Sequence, residues 1–570
     1  GTTTEAIGTV LAVFFGGMAI GNWLAARRIG RIARPLRVYA LLELGIGAFA
    51  LGSLPLLLRL DALYAVVGVD QSSDAIAMIR LAAAALVLLP PTIAMGATLP
   101  VVARGVVGSD ETLGRWSAIL YAANTLGAVS GAYLCGFWLI PAFGLAGSVI
   151  LAGTVNLLIA SGVFAVAGRQ TVASWTADPG IARAGRPFAE PGRGRTAFLV
   201  FFGISGFVAI GYEVVWSKLF GIVMEGTLHG FATVLSAYLF GIGVGSLAIS
   251  PFVDRIRDLP RSFGLLHVGI ALAVAAGMAL VPFLPYANGR LVSWFEAGDP
   301  THLLVLLVMP IVLLPARLFG AACPILIRIY TDRAQVVGEG MGMAVAANTV
   351  GAIAASLLIG FWANTALGMD ATLFGLILVE LLIALLVLLG FQTSLGRERL
   401  AASAAALGVL VLVSFSFNGV QIERTIAGRQ IQFSSLSEYR SRVQHAIESQ
   451  VLMLEGRNSV VTVSESPSGR SLLTNGLPEA GSSFGPPYLS LTTTLLGILP
   501  YLIAESPERA LVIGLGGGNT VDALVRTPIP NIDVVELEEG VVHGAELLHQ
   551  GRPNPLEDPR VQLRVNDGRN

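Results

Sequence analysis

The chain has 570 residues, 54% of them hydrophobic and 13% charged, with mean hydropathy +0.73 and a formal net charge of −1. Soluble domains carry about 25% charged residues, so this composition excludes an ordinary soluble globular protein and assigns most of the chain to lipid. No basic stripe interleaved with aromatics points to nucleic acid. The two cysteines, Cys135 and Cys323, are far apart in apolar segments, and the six histidines show no ligand spacing, so neither a disulfide framework nor a metal site is expected.

In chain order, apolar runs long enough to cross about 30 Å of hydrocarbon fall near 6–26, 36–58, 78–100, 116–140 and 143–167. A second set falls near 196–219, 229–250, 262–285, 302–327, 339–363 and 369–391. An offset of 224 residues superposes the two sets. It carries Gly17 and Gly21 onto Gly241 and Gly245, and Pro91, Gly96 and Pro100 onto Pro315, Gly320 and Pro324. Ala122-Ala-Asn-Thr-Leu-Gly-Ala128 falls on Ala346-Ala-Asn-Thr-Val-Gly-Ala352, and Gly136-Phe-Trp138 on Gly360-Phe-Trp362. Chance in a low-complexity chain does not preserve such strings at one offset. The run at 196–219 has no partner in the first set, because its partner would precede residue 1. Two parallel six-helix-type repeats are expected, the first lacking its first helix: 1–167 and 196–391, joined by a basic linker at 168–195.

Arg27, Arg28, Arg31, Arg34 and Arg37 crowd one loop, and Arg255, Arg257 and Arg261 crowd its counterpart. By the positive-inside rule these loops face the cytoplasm of a multi-pass protein, expected in a bacterial cytoplasmic (inner) membrane. The string Gly21-x-x-x-Ala-Ala-Arg-Arg-x-Gly-Arg31 resembles the loop between the second and third helices of major-facilitator transporters. Ionisable residues inside the spans are functional candidates: Glu43, Glu213, His267, Arg317 and Glu380. At the 224-residue offset Glu43 pairs with His267 and Asn156 with Glu380. Knitting helices together inside the bundle is the competing reading of these residues. Gly-x-x-x-Gly at 17–21 and 241–245 signals close helix packing.

A connecting apolar stretch follows at 392–419, with Leu400–Phe417 barely long enough to cross. If it spans, parity places the remainder opposite the Arg-rich loops. If it is re-entrant or interfacial, the remainder lies on the cytoplasmic side, where an S-adenosyl-type ligand is expected. Residues 420–505 read as β-rich, with a hairpin signal at Ser466-Pro-Ser-Gly469 and an apolar helix from Leu489 to Leu502. Residues 506–570 read as an incomplete nucleoside-binding α/β domain. In Ala510-Leu-Val-Ile-Gly-Leu-Gly-Gly-Gly-Asn519 a strand runs into Gly514, Gly516, Gly517 and Gly518, and a second strand ends on the acid Glu536. Glycines let backbone approach a ligand, and an acid at the end of the second strand takes ribose hydroxyls. The spacing G-x-G-x-G favours a sulfonium nucleoside over NAD, and Asp567-Gly568 follows in chain order. The chain starts at Gly1 and stops at Asn570, so a fragment cut at both ends is expected.

Asn458-Ser-Val-Val-Thr-Val463, Leu473-Thr-Asn-Gly-Leu-Pro-Glu479 and Leu496-Gly-Ile-Leu-Pro500 resemble the start of spermidine synthase-like proteins. Leu511–Gly518, Val534-Val-Glu-Leu-Glu538 and Val565-Asn-Asp-Gly-Arg569 continue that resemblance in order. The whole chain resembles bacterial fused major-facilitator/spermidine synthase membrane proteins. The resemblance implies a Rossmann-like fold in which Gly514, Gly516 and Gly518 line a sulfonium nucleoside, Glu536 holds its ribose, and Asp567 with Gly568 meets the adenine. The implied ligand is decarboxylated S-adenosylmethionine, or S-adenosylmethionine or methylthioadenosine, without a metal. Its aminopropyl group would pass to an amine or to a membrane-borne acceptor. This sequence departs from the family at Asn519, where soluble spermidine synthases have Asp, at Glu479, where they have Gln, and at Tyr488-Leu-Ser490, where they read Tyr-His-Glu. The family's catalytic acid would lie on the strand after Asp-Gly-Arg, past Asn570. The alternatives to a transferase are a transporter-like protein whose soluble domain senses or scaffolds, and an inactive fusion.

Overall fold

A computed structural model describes residues 4–57, 73–167, 193–223, 228–295, 301–391, 404, 407–408, 421–429, 433–483, 491–566 and 568. The linker at 168–192, nearly all of the run at 400–417, and Asp567 lie outside the described residues.

Each of the eleven expected apolar runs forms a helix. They are α1 (Thr4–Arg28), α2 (Pro35–Leu57), α3 (Ser73–Val106), α4 (Leu113–Leu134), α5 (Ile140–Ala167), α6 (Arg193–Val223) and α7 (Leu228–Ile249). After these come α8 (Leu259–Leu280), the short α9 (Leu284–Phe295), α10 (Thr301–Tyr330), α11 (Val337–Leu358) and α12 (Met369–Gly390). Nine helical stretches among the described residues are long and apolar enough to cross a membrane, and one of them, Asp110–Ala167, holds both α4 and α5. Such helices are apolar nearly all round, and in hydrocarbon only a helix satisfies its own backbone polar groups.

Several local features recur 224 residues apart. Five-residue π-helical turns close α4 at Cys135–Leu139 and α11 at Ile359–Ala363. Gly144 (φ +66°) and Gly368 (φ +82°) adopt left-handed backbone just after them. A Cβ at Gly21 would lie 2.0 Å from the Ile93 carbonyl oxygen, and one at Gly245 would lie 1.9 Å from the Arg317 carbonyl oxygen. The reciprocal contacts are Gly96 on the Met18 carbonyl and Gly320 on the Ile242 carbonyl. These glycines bring α1 onto α3 and α7 onto α10, backbone to backbone. A Gly245→Val substitution should force α7 and α10 apart at a cost of about 1–3 kcal/mol or more. Gly16→Ala, with nothing within 4 Å of the new Cβ, is the control. Thermal unfolding in detergent checks this, and equal midpoints for the two variants would contradict it.

On the side of the Arg-bearing loops, Asp254 accepts the Gly114 and Arg115 amides at 2.9 and 2.8 Å and pairs with Arg328 at 3.2 Å. It therefore ties the start of α4 to the end of α10. The rest of the chain sits at the other helix ends. Residues 421–483 form α13 (Gln421–Gly428), α14 (Leu436–Glu448) and an antiparallel sheet in the order β1 (Gln450–Glu455), β2 (Val460–Ser466), β3 (Gly469–Thr474), β4 (Leu477–Ser483). The β2–β3 hairpin turns at Ser466–Gly469, as its sequence predicts. Ser435 caps α14 by accepting the Glu438 amide, while Glu438 accepts the Ser434 amide and hydroxyl. These bonds hold the Glu438 carboxyl down at about 2.

α15 (Leu491–Ile503) precedes a parallel sheet in the order β5 (Arg509–Ile513), β6 (Asn531–Glu536), β7 (Val561–Val565), with α16 (Asn519–Val525) and α17 (Glu539–Leu548) between the strands. Gly540 and Gly544 bring α17 down onto Val461 and Leu472 of the first sheet. One apolar core therefore joins Val461, Val463 and Leu472 to Val512, Val534 and Ala545.

The junction with the bundle is specific. Ile422, Ile426 and Val460 belong to the same buried cluster as Tyr212, Trp216 and Ile377. Tyr439 Oη donates to the Pro282 carbonyl (2.8 Å), and the Met369 amide donates to Glu455 Oε2 (2.8 Å). Lys218 Nζ, near the end of α6, donates to the Gly456 carbonyl (2.6 Å). Pro282, Met369 and Lys218 lie near helix ends opposite the Arg-bearing loops. Burial pushes the Glu455 carboxyl above its ordinary value, against the opposing effects of the Met369 amide and the Lys218 ammonium.

Candidate functional site

The parallel sheet builds its site at the carboxyl ends of its strands, where open α/β sheets bind ligands. β5 ends at Ile513, and the chain bends through Gly514 (φ +90°), Gly516 (φ +54°) and Gly518 (φ +78°) into α16. A side chain is disfavoured at these backbone angles. Among the described residues nothing lies within 4 Å of a would-be Cβ at Gly514 or Gly516, so the bend presents bare backbone on that side. Gly517 turns the other way, with a would-be Cβ 2.3 Å from Ala480 and its carbonyl 3.0 Å from His549 Nε2. Gly518 lies close to the same imidazole. Gly517 and Gly518 therefore shape and anchor the bend, leaving Gly514 and Gly516 as its open edge. Gly568 packs its backbone on Ile513, next to the start of the bend.

Glu536, 7% exposed, ends β6 directly beside this bend. Its Oε2 accepts the Leu515 amide at 2.7 Å and its Oε1 accepts the Glu538 amide at 2.9 Å. Each oxygen of a carboxylate has two lone pairs. Both oxygens therefore keep one acceptor site, and two adjacent hydroxyls can be held by an acid fixed in place from behind.

Glu538 carries a role that the sequence reading missed. Its carboxylate, 8% exposed, accepts the amides of Arg457, Asn458 and Ser459 at 3.0–3.2 Å. It thus clamps the β1–β2 turn, the same turn whose Gly456 carbonyl receives Lys218. The signal for it lay in Glu538 itself, two residues past the strand and followed at once by a helix.

Inside the bundle the five ionisable candidates separate. Glu43 and Glu213 line one cavity of about 1150 Å³, together with Asn156. Tyr39 hydrogen-bonds to Glu43. The cavity runs from mid-bundle toward the α/β part and is bordered there by Arg457, Asn458 and Asn475. His267 and Glu380 are fully buried elsewhere, hydrogen-bonded to each other between α8 and α12, with the His267 ring against Phe263. Among the described residues His267 Nε2 and Glu380 Oε1 have no further partner. Arg317 is exposed and is not among the residues lining the cavity.

No family model matches the chain. Spermidine synthase 2 of Hyoscyamus niger is 26% identical over 140 residues, which are 24% of this chain and 44% of that protein. Polyamine aminopropyltransferase 2 of Ralstonia nicotianae is 23% identical over 386 residues, 65% of this chain and 68% of that protein. Polyamine aminopropyltransferase of Korarchaeum cryptofilum is 33% identical over 69 residues, 12% of this chain and 22% of that protein. The chain thus spans less than half the length of the plant relative, and it is related at low identity to spermidine synthases and polyamine aminopropyltransferases. The Ralstonia match is longer than residues 420–570 and so extends into the apolar helices.

Proposed function

We propose that this chain is a membrane-bound aminopropyltransferase whose α/β part binds a sulfonium nucleoside of the decarboxylated S-adenosylmethionine type. The observation that carries this reading is the placement of Glu536, held by two backbone amides with acceptor capacity left on both oxygens, beside the open backbone of Gly514 and Gly516. In this reading Glu536 takes the two ribose hydroxyls, Gly514 and Gly516 admit the nucleoside, and Asp567 with Gly568 borders the adenine. S-adenosylmethionine and methylthioadenosine share the same adenosine contacts.

The reaction needs little covalent help from protein. The acceptor amine gives up a proton to solvent, its nitrogen lone pair attacks the propyl carbon bonded to sulfur, and a C–N bond forms as the C–S bond breaks. The bonding pair moves to sulfur, which leaves as a neutral thioether nucleoside. The protein's contribution is to hold nitrogen and carbon in line and exclude water. Incubation of the full chain with decarboxylated S-adenosylmethionine and labelled putrescine should release methylthioadenosine and an aminopropylated amine in equal amounts. Absence of both products overturns the reading.

The helical region is proposed to be two parallel repeats of the major-facilitator type. Support comes from the π-helical turns, left-handed glycines and glycine–carbonyl contacts that recur 224 residues apart. With the Arg-bearing loops taken as cytoplasmic, the docking of the α/β part on the opposite helix ends supports a position outside the cytoplasm. In this reading the docking geometry is weighed above the cytoplasmic side that the ligand's chemistry favours. Ser468→Cys, in the exposed β2–β3 turn, should therefore react with a membrane-impermeant maleimide in intact cells, in a background lacking Cys135 and Cys323. Labelling only after cell lysis would contradict this orientation. That same placement is the observation favouring a second reading, in which the bundle transports and the α/β part senses or scaffolds.

A further inference from the structure

A cavity of about 1150 Å³ is lined by residues of both parts. Its walls come from α1 to α7, α10 and α11, and its mouth from Arg457 and Asn458 of the β1–β2 turn and Asn475 of the β3–β4 turn. We infer that this cavity is a binding site for a primary ammonium carried on an aliphatic chain, with Glu213 as its counter-charge and the Gly456–Ser459 turn as its cover. The inference rests on the transferase reading for its biological sense, because an amine is the acceptor that reading requires.

Three observations select the ligand class. The first is charge. Glu213 and Glu43 are the carboxylates of the lining, and among the described residues no hydrogen bond or ion pair engages the Glu213 carboxylate. The lining lysine, Lys218, is already committed to the Gly456 carbonyl. Five residues separate it from Glu213 along α6, about 7.5 Å of helix rise. The interior is therefore acidic and the mouth basic. A ligand that enters cation first is favoured, and an inorganic anion or a phosphate is repelled from the interior.

The second observation is a shortage of donors. Asn22 and Asn364, 1% and 3% exposed, are among the residues lining this cavity, and their buried Oδ1 atoms have no hydrogen-bond partner among the described residues. For Asn22 the orientation is fixed, since its Nδ2 donates to the Met18 carbonyl at 2.9 Å. Buried acceptors without donors are costly. An ammonium brings three donors and no acceptor, which is the complement of this lining. The third is shape: Phe14, Phe15, Leu239 and Phe319 give the same cavity apolar walls, which suit methylenes between charged ends.

The position of the cover supplies the link to chemistry. The Gly456–Ser459 turn closes the cavity on one side and is held on the other by Glu538, two residues from Glu536. The turn that borders the cavity is thus held by a residue two positions from the carboxylate assigned to the nucleoside.

A free polyamine and an amine-bearing lipid headgroup present the same chemistry, so the test has two arms. The full chain is placed in phosphatidylcholine nanodiscs, and binding of labelled putrescine is measured. In parallel, retention of phosphatidylethanolamine is measured by native mass spectrometry. Binding of either amine should fall at least tenfold in Glu213→Gln, while methylthioadenosine binding stays unchanged. Glu536→Gln should show the opposite pattern. Asn364→Leu, which removes an orphaned acceptor without touching charge, should weaken the amine alone and is decisive if Glu213→Gln fails to fold. Failure of both amines to bind, or binding indifferent to both substitutions, overturns the inference. Loss of methylthioadenosine binding with amine binding intact instead overturns the nucleoside reading.

Discussion

Glu536→Gln is expected to weaken binding of methylthioadenosine or decarboxylated S-adenosylmethionine by roughly 100-fold to 10,000-fold. Hydrogen bonds to a charged acceptor contribute about 1.5–3 kcal/mol each, and two ribose hydroxyls meet this carboxylate in the proposed pose. The loss is then about 3–6 kcal/mol, at 1.4 kcal/mol per tenfold. The glutamine keeps the shape of the side chain, but its amide nitrogen cannot accept from Leu515 or Glu538, whose amides now bond to the two carboxylate oxygens. Some of the loss will therefore appear as loosening of the glycine bend, visible as faster hydrogen exchange at Leu515. Equilibrium titration checks the affinity. A change of less than threefold would mean that ribose is held elsewhere.

The second large effect is structural and lies within the bundle. Glu380→Ala should destabilise the helices by about 3–5 kcal/mol, the cost of removing one partner from a buried polar pair. His267 and Glu380 are both fully buried, and each already has one side-chain atom without a partner. Deleting the acid leaves the imidazole with none. Replacing both residues by leucine should recover most of that loss, because an apolar pair of similar volume avoids the desolvation of polar groups. Detergent unfolding of the single and double variants checks the order. If the double variant is as unstable as Glu380→Ala, the pair is not what holds α8 against α12. If it is stable yet inactive, the pair belongs to the working machinery.

The pattern of success in reading the sequence has physical causes. The apolar helices were legible because in lipid a long uncharged run has hardly any alternative. The β2–β3 hairpin and the strand–glycine–strand order were legible because turn chemistry is local. The pairing of His267 with Glu380 was not, although both residues stood out as ionisable within spans. They meet across 113 residues, and the 224-residue offset relates each of them to a different residue. The split of the glycines was equally hidden. Gly517 faces inward only because Ala480, from the other sheet, lies against it. The docking side of the α/β part rests on Tyr439 with Pro282, Lys218 with Gly456 and Glu455 with Met369. None of these contacts is signalled by spacing, and nearly all of the run on which parity turns lies outside the described residues.

The most direct test is isothermal titration of the full chain in nanodiscs with decarboxylated S-adenosylmethionine. One saturable site that disappears in Glu536→Gln is the expected result. No heat of binding at millimolar nucleoside from a folded protein, or binding that Glu536→Gln leaves untouched, would contradict it.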